Sequence, residues 1–225
     1  MIEMGRRDAL RLIGAVPLAV CFGVGAAEAQ VAREHASEAL RAAAQGQAYA
    51  PKFFSDREWE TVRVLVDLIL PRDERSGSAT DAGVPEFMDF LMSDPEQDDR
   101  MRESRQTGMR GGLAWIDSEC QRRFERSFVE ASEAERKSLL DDIAWAKADE
   151  AGEAGAHESP DLRARLRQGS AFFNGFRDLT ASGFWSSPMG VEDLGYVGNK
   201  FAPDWQGPPP EILRRLGVGG TGEKA

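Results

Sequence analysis

Two cysteines and two histidines in a chain of 225 residues leave few ligands for a metal or a haem. A four-thiolate iron–sulfur cluster, a C-x-x-C-H haem attachment and an ordinary zinc site are thereby excluded on this chain. The glycine fingerprint that a flavin or nicotinamide enzyme places between a strand and a helix is missing. The closest cluster, Gly195-x-x-Gly198, follows no strand. There is no G-x-S-x-G elbow and no glycine-rich phosphate loop. No segment sustains an alternation of β-branched and polar residues, so no sheet is expected. Basic residues are outnumbered by acidic ones, 28 to 38, and the net charge of −10 repels nucleic acid and anionic lipid. No apolar run reaches the ~20 residues of a stable membrane span.

The N-terminus has a leader's composition. Arg6 and Arg7 lie in a positive n-region, a mild apolar run extends from Leu12 to Ala27, and Ala27-Glu28-Ala29 offers the small residues of an A-x-A cleavage site. Paired arginines point to the twin-arginine route, whose signal is an address rather than an anchor. Gly5 and Ala9 depart from that consensus, and a general secretory peptide is the alternative. Residues 1–29 are therefore expected to be a signal and the protein periplasmic. Arg6, Arg7 and Arg11 balance Glu3, Asp8 and Glu28, so the mature chain keeps the full −10. Cys21 leaves with this signal, and Cys120 has no internal partner. An odd cysteine in an oxidising compartment is an interchain bridge, a free thiol or a buried core residue.

The remainder reads as all-α. Residues 30–50, rich in alanine and glutamine, offer little to bury and are expected to be a loosely helical tether. A helical domain is expected over 51–182, built from about five helices. Ser55-x-x-Glu58 is a capping box ahead of Trp59, Val62, Val66 and Ile69, and Pro71 stops that helix. Pro85 opens a short helix burying Phe87, Phe90 and Leu91. From about Gln97 to Arg126, Met109, Leu113, Ile116, Cys120 and Phe124 form one stripe. Gly108, Gly111 and Gly112 weaken this helix by roughly 1 kcal/mol each, or let another helix approach closely. Ser132-x-x-Glu135 caps a fourth helix through Leu139, Leu140, Ile143 and Trp145. Ser159-Pro160 opens a fifth, carrying Leu162, Leu166, Phe173, Phe176 and Leu179 and ending near Gly183.

Beyond that point glycine, proline and large aromatics dominate. Residues 183–216 are expected to be an extended arm and 217–225 a disordered tail. Pro208-Pro209-Pro210 favours a polyproline conformation. Phe184, Trp185, Tyr196 and Trp205 are candidate partner contacts, because aromatic anchors dominate protein interfaces. The arm lying across its own domain is the alternative. Trp59 and Phe87 are expected in the core. His35 and His157 do not look like positioned bases, and the pairs Asp98-Asp99 and Asp141-Asp142 read as solvated surface.

Three patches together resemble the gluconate 2-dehydrogenase subunit 3 family, the small or gamma subunits of periplasmic sugar dehydrogenases. The first is Phe53-Phe54-Ser55 with Glu58-Trp59 and then Ile69-Leu70-Pro71-x-Asp73. The second is Ala82-Gly83-Val84-Pro85-Glu86-Phe87-Met88-Asp89. The third is Gly183-Phe184-Trp185-Ser186-x-Pro188, leading to Gly195-Tyr196 and Gly198-Asn199. The closing Asp204-Trp205-Gln206-Gly207-Pro208-Pro209-Pro210 is more similar to the branch paired with glucoside 3-dehydrogenases. Met189 to Leu194 departs from the commoner pattern, in which Pro-x-Tyr-Gly-Gly-Asn is nearly contiguous.

The resemblance implies a partner. In that family the catalytic subunit is a large FAD flavoprotein of the glucose–methanol–choline type without its own export signal. It passes electrons to a cytochrome c subunit or another acceptor. The small subunit binds the folded flavoprotein, takes it through twin-arginine export and stays as a stabilising subunit. Some small subunits are bonded covalently to the large one, which makes Cys120 a candidate for an interchain disulfide, although its place on an apolar stripe argues against it. The expected function is thus a non-catalytic escort subunit with no cofactor, catalytic residue or metal of its own. The rivals are a stand-alone helical enzyme using carboxylates and a general interaction or ligand-binding protein.

Overall fold

A computed structural model describes Phe22 and residues 24–144, 160–195, 207–208, 210–215 and 217. Among these residues there are eight helices and no strand. They are α1 (Ala26–Ala44), α2 (Asp56–Ile69), α3 (Val84–Ser93), α4 (Asp99–Phe124), α5 (Glu133–Ala144), α6 (Pro160–Ser186), α7 (Pro188–Asp193) and α8 (Pro210–Arg215). The chain forms two units, one ending at Leu194 and the other running from Gly195 to Ala225. The second unit contains α8, whose Ile212 is exposed.

The sequence signals act where they were expected. Ser55 Oγ accepts from Glu58 N and Ser55 N donates to the Glu58 carboxylate at 2.9 Å, closing the capping box of α2. Ser132 and Glu135 make the same reciprocal pair before α5. Asp98 caps α4 by accepting from Met101 N at 3.1 Å. On α4, Met109, Leu113, Ile116 and Cys120 are buried in the order of the stripe.

Helix α3 is the centre of the first unit. Val84, Met88 and Leu91 have no exposed surface, and the helix touches α1, α2, α4 and α6. The 27-residue α6 touches each of the other six helices of that unit. Its junction with α4 interlocks. A Cβ built on Gly112 would fall inside the ring of Phe172, and one built on Gly169 would fall inside the indole of Trp115. Each helix thus lacks a side chain where the other presents an aromatic ring.

Two segments differ from expectation. Residues 30–44, expected to be loosely helical with little to bury, belong to the regular and packed helix α1. Its small side chains are the reason: Ala32 and Ala36 are buried, His35 stacks on Phe90 with ring centroids 4.1 Å apart, and Leu40 lies 3.1 Å from the space above Gly83. Residues 183–194, expected as the start of an extended arm, are helical. Gly183 does not end α6, because its missing side chain admits Phe87, whose ring would lie 3.0 Å from a Cβ there. The chain turns at Ser187, whose hydroxyl accepts from Gly190 N at 3.0 Å and caps α7.

Candidate functional site

The first two sequence patches and the described start of the third, Gly183 to Pro188, are brought together around α3. Asp89 lies on the apolar side of that helix with no exposed surface. Its carboxylate takes four hydrogen bonds from one short stretch of chain. Oδ2 accepts from the Tyr49 hydroxyl and Lys52 N, each at 2.8 Å. Oδ1 accepts from Phe53 N at 2.9 Å and Phe54 N at 3.2 Å. The second patch thereby fixes the first. Burial, reinforced by the charge of Asp89, pushes the Tyr49 phenol far above its ordinary range, so it remains a donor. With four donors on its two oxygens, Asp89 clamps residues 49–54 to α3.

The clamped segment builds an aromatic corner. Phe53 and Phe54 are buried and meet edge-on at 4.9 Å. Trp59, half-buried, stacks on Tyr49 at 5.4 Å and tilts against Phe54. The Arg110 guanidinium of α4 sits 4.4 Å over the Phe53 ring and donates to the Phe53 carbonyl at 3.1 Å. One turn before Asp89, burial raises the Glu86 carboxyl, and its Oε2 has no hydrogen-bond partner among the described residues.

Between α2 and α3 the loop is tied by short carboxylates. Asp73 accepts from Arg75 N and Ser76 N, and these backbone bonds hold its carboxyl below the usual range. Asp67 accepts from Thr80 N at 2.8 Å, and Asp81 accepts from Ser78 N at 2.7 Å. Gly83 ends the loop with φ at +79°, a conformation that only glycine adopts at little cost. Arg75 reaches α7 and pairs with Asp193 at 3.3 Å. The loop is therefore joined to α7 as well.

The candidate partner contacts lie in different environments. Phe184 is 3% exposed and belongs to the core. Trp185 stands edge-on to it at 4.9 Å and is 36% exposed. Phe184 thus holds an indole that faces outward from the end of α6, and Leu194 is exposed just past α7. Tyr196 and Trp205 lie outside the described residues, as do Arg6 and Arg7. Ala27 and Ala29 sit in the first turn of α1. Phe87 is in the core as expected. Cys120 is free and has no exposed surface, and burial pushes its thiol up to about 11.

Chemical apparatus is sparse. Among the described residues no three His, Cys, Asp or Glu side chains gather as metal ligands, and no helix is long and apolar enough to cross a membrane. An open cleft of about 370 Å³ separates α2 from α5, lined by Val64, Leu68 and Pro71 with charged Asp67, Arg136 and Lys137. Sequence reasoning missed the roles of Tyr49 and Asp89. The available signal was Asp89, the second of two acids inside the apolar run Val84–Ser93 and one helical turn on from Pro85, hence on its buried face.

The sequence model of the family described as gluconate 2-dehydrogenase subunit 3 matches residues 56–203. No curated protein and no solved structure matches the chain.

Proposed function

The chain belongs to the gluconate 2-dehydrogenase subunit 3 family, and from that premise we propose that it is a non-catalytic small subunit of an FAD-dependent sugar dehydrogenase. It binds and stabilises a large flavoprotein subunit and escorts it through twin-arginine export to the periplasm. The observation that carries this reading is the family match over residues 56–203. The use made of the patches supports it: Asp89, Gly83 and Phe184 hold helices together, and among the described patch residues the exposed large aromatic is Trp185. An indole braced from behind suits a partner contact, because little rotamer freedom remains to be lost on binding. FAD belongs to the partner, and a cytochrome c subunit is a candidate further member.

Co-purification from native periplasm tests the reading. A yellow complex with a flavin spectrum and a much larger second polypeptide is expected. A colourless monomer would defeat it. Export has its own test: with Arg6 and Arg7 both replaced by lysine, the large subunit should remain in the cytoplasm. Its arrival in the periplasm would remove the escort role and leave the subunit role standing.

A further inference from the structure

The stretch that precedes the A-x-A pattern is part of the folded body. Phe22 is 7% exposed and belongs to the main hydrophobic cluster, with Val24 and Ala29 packed against it. Gly25 caps α1: its N–H donates to the Glu28 carboxylate at 3.3 Å, and its carbonyl accepts from Ala29 N at 2.9 Å. Glu28 then closes a long-range contact. Its carboxylate takes both terminal nitrogens of Arg105 on α4, one of them at 3.0 Å, and the Arg105 side chain is 3% exposed. Arg105 also donates to Gln97 Oε1 at 2.9 Å. A charge pair this deeply placed is costly to break from one side, because the buried guanidinium loses a charged partner.

Cleavage after Ala29 meets two obstacles. A processing peptidase reads the residues before its cut in an extended conformation, whereas Ala27-Glu28-Ala29 is the first turn of a packed helix. The cut would also remove Phe22, the Gly25 cap and the carboxylate facing Arg105. A protein that folds before export presents this helix already formed. The same N-terminus holds a second pair of small residues at the required spacing, Ala19 and Cys21, inside the apolar run from Leu12 to Ala27 and directly before Phe22, the first described residue, which is buried.

We propose that the leader is removed between Cys21 and Phe22 rather than after Ala29, and that Phe22–Ala29 remains as the first part of the mature fold. The existence of a cut rests on the export reading, but the structural role of the segment does not. The mature chain then begins with the phenylalanine that seats against the core and keeps the Glu28–Arg105 pair.

N-terminal sequencing and intact mass of the small subunit, taken from the exported complex, test the cut. A chain beginning at Phe22 is expected, and one beginning at Gln30 or at any other residue overturns the assignment. Replacing Ala29 by a bulky residue (Ala29→Leu) should leave processing unchanged, while Cys21→Phe should block it; the reverse pattern also overturns it. A measurement on the full chain needs no export. Glu28→Gln should lower the Tm by about 5 °C or more, since it removes the charge facing a buried arginine. An unchanged Tm refutes the structural role. If the double lysine variant of Arg6 and Arg7 is exported normally while the mature chain still starts at Phe22, the twin-arginine reading fails and the cleavage assignment stands.

Discussion

Replacing Asp89 with alanine removes the acceptor for four donors at once, and the structure ranks the consequences of milder changes. Phe53 N and Phe54 N are buried where they meet Oδ1, whereas Tyr49 and Lys52 are only part-buried where they meet Oδ2. Each buried donor left unpaired costs about 1–3 kcal/mol, and the relief of desolvating the carboxylate offsets part of the sum. Asp89→Ala should therefore destabilise by about 3–5 kcal/mol, a large fraction of the roughly 5–15 kcal/mol that holds an ordinary domain. Asp89→Asn keeps one oxygen for the two buried amides but turns an NH₂ group towards Tyr49 and Lys52. The phenol can rotate to accept; the amide of Lys52 cannot. A loss of about 2 kcal/mol follows. Tyr49→Phe deletes one bond to a charged acceptor and should cost about 1.5 kcal/mol.

Urea unfolding gives the order Ala, then Asn, then Phe. Amide hydrogen exchange localises it: Phe53 and Phe54 should lose protection in Asp89→Ala and keep it in Tyr49→Phe. The clamp argument is refuted if Asp89→Ala costs under 1 kcal/mol, or if Phe53 and Phe54 exchange no faster in that variant.

Adjacent glycines on α4 should respond in opposite directions. Gly111→Ala meets open space and should stabilise by about 1 kcal/mol through helix propensity, whereas Gly112→Ala collides with Phe172 and should cost about 1–3 kcal/mol in thermal unfolding. Glu125, at φ 60° after α4, should gain about 1 kcal/mol on replacement by glycine, read by the same assay. The raised Cys120 thiol contributes stability that is full below its unfolded pKa near 9 and is lost as pH rises to about 11. The loss reaches at most about 3 kcal/mol. Urea titrations at pH 8 and pH 11 should show a smaller difference for Cys120→Ala than for the parent chain. Trp185→Ala should leave the Tm within a few degrees and weaken capture of the flavoprotein subunit at least tenfold, since the indole is part-exposed and braced by Phe184.

Local rules were legible where one residue or a short period carries the signal. Ser55 and Ser132 have their glutamates three residues on and no other way to satisfy a helix start, so their boxes appear in any fold. The stripe from Met109 to Cys120 needs only helical spacing to be read. Gly83 and Pro85 are confined by backbone sterics alone. The family patches were readable as a set, but their physical purpose was not, since joinery is visible only when both pieces are in place. The packing of the helix over residues 26–44 was hidden because alanine is ambiguous: it suits a loosely helical tether and equally a helix that packs closely, and only a neighbour such as α3 distinguishes them.

What the sequence by itself determined is the all-α class, the caps, the apolar stripes and membership in a dehydrogenase-subunit family, all properties of neighbouring residues or of ordered motifs. Only the tertiary structure decided that Asp89 clamps Tyr49 and Phe53, that Gly112 and Gly169 make room for Phe172 and Trp115, that Phe184 lies inside while Trp185 faces out, and that Glu28 belongs to the folded body through Arg105. These are long-range pairings. A carboxylate or a glycine acquires its role from the group that packing brings against it, and the periodicity of its own segment does not record which group that is.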